Sequence, residues 1–115
     1  MSVSLLGVEA EEVRALNRSF GGTQQMNSTV EAVFQSALYV TSFWEKVAIV
    51  VRSIAGGHLF DNGNKRTAFE MVKLFRKRNQ IFTGTFDPQL RETVRLVATH
   101  ALSDTRQIAK SLKGF

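Results

Sequence analysis

Apolar side chains recur at helical spacing along most of the chain, separated by short polar breaks. Between about Val8 and Phe20, Val13, Leu16 and Phe20 share one face, and the glutamates fall in the first turn, where the helix dipole favours acids. Gly21-Gly22 stops this helix, and Thr23 to Asn27 form a polar loop. Ser28-Thr29-Val30-Glu31 has the form of a capping box and opens a helix with Val30, Val33, Phe34, Ala37 and Leu38 on one side.

From Ser42 to Ala55 apolar residues lie nearly all round, as expected of the most buried helix of an all-α domain. The β-branched residues there would also suit a strand, but the segment is too long for one. Gly56-Gly57 ends it, and the polar stretch from His58 to Asn64 follows. A helix from near Lys65 to about Lys77 turns Ala68, Phe69, Val72 and Phe75 inward. Ile81 to Phe86 leans towards a short strand or hairpin. Asp87-Pro88 reads as a capped helix start, and Asp104 with Gln107 as the start of a last helix ended by Gly114. The pattern predicts an all-α fold of about six helices, with a short β-hairpin or strand, in a single domain spanning residues 1–115.

Composition narrows the function classes. The 115 residues are 43% hydrophobic, enough to build one core without a structural metal. With no cysteine, disulfides, thiolate metal sites and thiol nucleophiles are excluded, and the reducing cytoplasm is the expected compartment. No leader peptide and no membrane span is readable. The net charge is +5, and six basic residues lie between Lys65 and Arg78. Lys73, Arg76, Lys77 and Arg78 read as a solvated helix face, and no recognition helix supports a nucleic-acid partner.

The segment from His58 to Arg66 holds a histidine, an aspartate, two asparagines, a glycine, a lysine and an arginine between two apolar helices. A connector needs only turn formers. Free N–H groups at the start of the following helix, with Gly63 beside them, can form an anion-binding concavity. Asn64 can donate to phosphate oxygens, Arg66 can grip a phosphate with its planar fork, and His58 can serve as a general base. Taken alone, His58 would be a helix-ending surface histidine. His100 reads as structural or surface, Trp44 and the phenylalanines as core. Thr67 reads as a first-turn residue with an optional phosphate contact, and Asp61 as a loop cap rather than a ligand.

The run His58-Leu59-Phe60-Asp61-Asn62-Gly63-Asn64-Lys65-Arg66-Thr67 resembles the signature loop of Fic proteins, His-Pro-Phe-x-(Asp/Glu)-Gly-Asn-Gly-Arg. It is closest to the Doc (death on curing) toxin branch, which carries Asn-Lys-Arg-Thr. The resemblance extends over roughly Val8 to Leu112 and implies a Fic/Doc-like helical domain. It implies that His58 takes the proton from a target hydroxyl, that Phe60 anchors the loop, and that Gly63, Asn64, Lys65 and Arg66 hold nucleotide phosphates. Lys65 stands where adenylyl-transferring Fic proteins have glycine. In Doc this accompanies a reversed nucleotide pose, so that the terminal phosphoryl group of ATP or another nucleoside triphosphate is transferred, with magnesium (Mg2+). The Doc resemblance further implies a cytoplasmic toxin that blocks translation by modifying elongation factor Tu, and a separate antitoxin chain. The inhibitory pattern (Ser/Thr)-x-x-x-Glu-(Gly/Asn) is missing; Thr41 to Lys46 comes nearest and fails at its last position.

One position departs from the pattern. The acid that holds magnesium in the family aligns with Asn62, whose neutral amide oxygen is a weaker ligand. Asn62 opens the reading of a catalytically silenced binding module, and adenylyl transfer on the same fold is the enzymatic rival to phosphorylation.

Overall fold

The computed structural model describes residues 3–114. Strands β1 (Ser4–Leu5) and β2 (Val8–Glu9) form an antiparallel hairpin with Ser4 opposite Glu9 and Leu5 opposite Val8. Six α-helices follow: α1 (Ala10–Ser19), α2 (Val30–Ala37), α3 (Phe43–Val51), α4 (Asn64–Arg78), α5 (Gln89–Ala98) and α6 (Thr105–Lys113). The fold is all-α with a short hairpin, as the periodicity predicts.

The hairpin lies elsewhere than expected. Val8 and Glu9 pair with β1, so α1 begins two residues late, and Glu9 caps it reciprocally with Glu12. Ile81 to Phe86 forms no strand; its carbonyls and N–H groups bond instead to neighbouring helices, with Arg76 donating to Thr85 O at 2.8 Å and Thr85 N to Leu112 O at 2.9 Å. Arg76 is therefore buried against Phe86, not part of a solvated face. Phe82 and Phe86 are exposed and lie outside the core that holds Phe34, Phe60, Phe69 and Phe75.

Two predicted caps also shift. The α2 cap is Thr29, which accepts from Ala32 N, so Glu31 is free to pair with Arg14 at 2.8 Å. No side chain caps α5; the Asp87 carboxylate lies 3.8 Å from Arg91 on the same helix. Asp104 caps α6 as expected, accepting from Arg106 N and Gln107 N, and Gly114 ends it.

Helix α3 is the centre of the packing. Val47, Ala48, Val50 and Val51 are buried, and α2, α4 and α6 pack around the helix. Its last turn widens into a π-helical turn, Arg52–Gly56, that packs on α4 and α5. Burying this turn holds the next residues, Gly57 and His58, in one place. No helix among the described residues is long and apolar enough to cross a membrane.

Candidate active site

The loop between the π-helical turn and α4 is pinned at both ends and along its length. Leu59 and Phe60 are buried, so Phe60 anchors the loop as expected. Asn64, the first residue of α4, clamps the same residue from the other side. Its Oδ1 accepts from Phe60 N at 2.9 Å, and its Nδ2 donates to Phe60 O at 2.8 Å. The Asn64 amide thus closes the loop, leaving one N–H of Nδ2 for a ligand.

The polar segment after Gly21-Gly22 runs antiparallel to the loop. Met26 N donates to Leu59 O at 2.7 Å and Asp61 N to Gln24 O at 3.1 Å, with Gln25 opposite Phe60. Asp61 accepts from the Thr23 hydroxyl, from Thr23 N at 2.8 Å and from Gln24 N at 3.2 Å. The Thr23 hydroxyl first, and then these backbone donors, hold its carboxyl below the usual range. Asp61 is a cap for the neighbouring segment.

A buried amide supports the other end. Asn17, on α1, donates through Nδ2 to Asn62 O at 2.8 Å and to Thr67 Oγ1 at 3.1 Å. The Thr67 hydroxyl is therefore buried against Asn17 and is not available to a phosphate. A Cβ on Gly22 would lie 1.7 Å from Asn17 Oδ1, so only glycine lets the two segments approach so closely. Asn17 escaped the sequence reading, although a polar residue between Val13, Leu16 and Phe20 on the inward face of a helix is the signal that could have found it.

These supports set the geometry of the candidate anion site. Gly63 has φ 71°, and a Cβ there would lie 2.7 Å from Phe20 O. That left-handed residue turns the chain into α4, whose first N–H groups, those of Asn64, Lys65 and Arg66, find no acceptor among the described residues. Lys65 and Arg66 are exposed on this first turn, with the Arg66 guanidinium 4.7 Å from the centre of the Phe20 ring. A cavity of about 490 Å³ opens over it, lined by His58, by the loop from Asp61 to Arg66, and by Ala98 and Thr99 from α5. A second cavity of about 520 Å³ adjoins it through Lys65 and Arg66 and reaches Phe69, Arg91 and Arg95.

His58 is exposed and sits at φ 49°, a left-handed conformation unusual for a residue with a side chain. Asn27 Nδ2 donates to the carbonyls of Gly57 and His58, both at 3.0 Å, so the backbone is fixed while the imidazole has no hydrogen-bond partner among the described residues. The His100 ring, beyond the end of α5, lies 6.3 Å away between centroids. The loop thus brings a solvated imidazole into the lining of one cavity with two cations and with N–H groups that find no acceptor among the described residues. That pairing suits proton removal next to a bound phosphate.

A model of the Fic/DOC family matches residues 6–76, from the hairpin through most of α4. The chain belongs to the Fic/DOC family. Members of this family transfer nucleotidyl or phosphoryl groups to proteins and use nucleoside triphosphates with a divalent metal. No curated protein matches the chain.

The site of this Fic/DOC protein fits the nucleotide better than the metal. Asp61 is committed to Thr23 and Gln24, Asn62 Oδ1 already accepts from Gly63 N at 2.9 Å, and no cluster of three potential ligands occurs among the described residues. A magnesium ion held by protein carboxylates does not suit this donor set.

Proposed function

We propose that the protein is a Doc-like toxin that phosphorylates a protein hydroxyl. The observation that supports this most is the shared cavity, lined by His58 together with Lys65, Arg66 and the start of α4, whose first N–H groups find no acceptor among the described residues. The acceptor expected from the Doc resemblance is elongation factor Tu, and the expected regulator a separate antitoxin chain in the same cytoplasm.

On this reading the terminal phosphate lies against the start of α4, and the nucleoside extends into the adjoining cavity by Phe69 and Arg91. The N–H groups of Asn64, Lys65 and Arg66 and the Arg66 guanidinium stabilise the charge on the phosphoryl oxygens, as positioned donors do in phosphoryl transfer. His58 takes the hydroxyl proton as the acceptor oxygen bonds to phosphorus. The bond from phosphorus to the bridging oxygen breaks, and the nucleoside diphosphate leaves. Any magnesium enters with the nucleotide's phosphates, and no step above depends on it.

The test is incubation with cell lysate and a nucleotide labelled at either the terminal or the innermost phosphate. Terminal label on a protein, lost with His58→Ala, is the expected result. Label from the inner phosphate alone would establish nucleotidyl transfer instead. The neutral Asn62 favours a silenced module as the second reading. Absence of either label, with Asn62→Asp also inactive, would establish that reading.

A further inference from the structure

Two further cavities lie beside His58, which lines neither, although Gly57 lines both and His100, 6.3 Å from His58 between ring centroids, lines the larger. A cavity of about 630 Å³ is lined by Ser36, Arg52, Ser53, Gly57, His100 and Ser103, with Thr105 and apolar side chains completing its walls. A smaller one of about 350 Å³ is lined by Asn27, Ser28, Ser36, Ser53 and Gly57. Ser36, Ser53 and Gly57 belong to both, so the two form one continuous trough. It runs from the end of the segment bonded to the loop, past the residue that precedes His58, to the start of α6. The cavity over the start of α4, which His58 does line, shares no lining residue with this trough.

The charges of this trough are one-sided. The guanidinium of Arg52, exposed on the π-helical turn, has no hydrogen bond or ion pair among the described residues. By contrast, Arg14, Arg18, Arg78 and Arg95 each pair with a glutamate, and Arg66 lies on Phe20. No acid lines either part of the trough, while its serine hydroxyls offer acceptors along it, the Ser36 proton being donated to Val33 O at 2.7 Å. An elongated, hydroxyl-rich channel with one unneutralised cation suits an extended chain carrying a carboxylate better than a compact ligand.

We propose that this trough seats the acceptor polypeptide, and that Arg52 selects acceptors with a carboxylate a few residues from the hydroxyl presented to His58. The proposal rests on the reading of His58 as the base for a protein hydroxyl. Exposed charge pairs are weak, so the selection is a preference of about fivefold.

Short fluorescent peptides with one serine flanked by glutamate, glutamine or lysine test it by anisotropy at low salt. The glutamate peptide should bind best, Arg52→Gln should erase the ranking, and Arg52→Glu should invert it towards lysine. Circular dichroism confirms that each variant is folded, and the glutamine variant serves alone if the reversal unfolds the chain. Equal binding of the three peptides, or a ranking unchanged by both variants, overturns the proposal. So does a fluorescent nucleotide that is weakened by Arg52→Glu while no peptide binds, since the trough would then hold nucleotide. A ranking that survives in His58→Ala, with no phosphate transferred by the unaltered protein, keeps the trough and removes the catalytic reading.

Discussion

Asn17 Nδ2 donates to the carbonyl oxygen of Asn62 at 2.8 Å, joining α1 to the turn that opens α4. The amide is buried, and its other contact, Thr67 Oγ1, is buried with it. Replacing it with alanine leaves a buried hydroxyl without its donor and releases the turn, a loss of about 1–3 kcal/mol. Gly22→Ala should act through the same group, because its Cβ would strike Asn17 Oδ1 at 1.7 Å. Urea unfolding of both single variants and the double variant checks this. The double should cost clearly less than the sum, and full additivity would show that Gly22 does not work through Asn17.

Gly63 is constrained twice, by φ 71° and by Phe20 O at 2.7 Å from the position of a Cβ. Gly63→Ala should cost about 2 kcal/mol or more, since a left-handed alanine is strained before any clash is counted. Its larger effect should be on nucleotide binding, because relief of the clash moves the first N–H groups of α4. Fluorescent-nucleotide titration alongside unfolding separates the two. A variant that binds nucleotide normally would show that those groups do not hold the phosphates.

Helix positions were legible because apolar periodicity survives wherever one face is buried, as in Val47, Val50 and Val51 of α3. The loop was legible because His58, Phe60, Gly63 and Arg66 are close in sequence and their types are chemically unusual for a connector. Asn17, Arg52 and His100 carry no such local mark. Asn17 reaches its partner over 45 residues, and the His58–His100 approach exists only once α5 packs on the π-helical turn. The hairpin was misplaced because two-residue strands are too short for alternation to register, whereas the β-branched and aromatic residues from Ile81 to Phe86 suggested pairing that helix contacts replace.

Glu12 links the hairpin and α1 to α4, at 2.5 Å from Arg78. The Arg78 hydrogen bond, then the backbone N–H of Glu9, lowers its carboxyl from 4.5 to about 2. A depressed carboxylate contributes stability above its unfolded value and loses it as the pH falls through the folded one. Glu12→Gln should therefore lower Tm by about 1–4 °C at pH 7, given how exposed the pair is. The difference from the unaltered protein should shrink between pH 4.5 and about 2 and vanish below. Melting curves across that range decide it, and a gap that persists at the acid end would show that Arg78 is not the cause.

Asn62 brings a neutral oxygen to a position where the family pattern has an acid, and that oxygen already accepts from Gly63 N at 2.9 Å. Asn62→Asp keeps the acceptor for Gly63 and adds a charge at the rim of the cavity lined by His58, without altering the backbone carbonyl that Asn17 holds. Magnesium should then bind several-fold more tightly in the presence of nucleotide, since hard cations favour charged oxygen ligands. Calorimetric titration of magnesium into the nucleotide-saturated protein measures this directly, whether or not a phosphate acceptor is present. The same variant should bind metal-free nucleotide more weakly, because the new carboxylate faces phosphate oxygens with no cation between them. If both affinities stay unchanged, the side chain at this position does not face the phosphates, and the cavity beside His58 must take the nucleotide in another orientation.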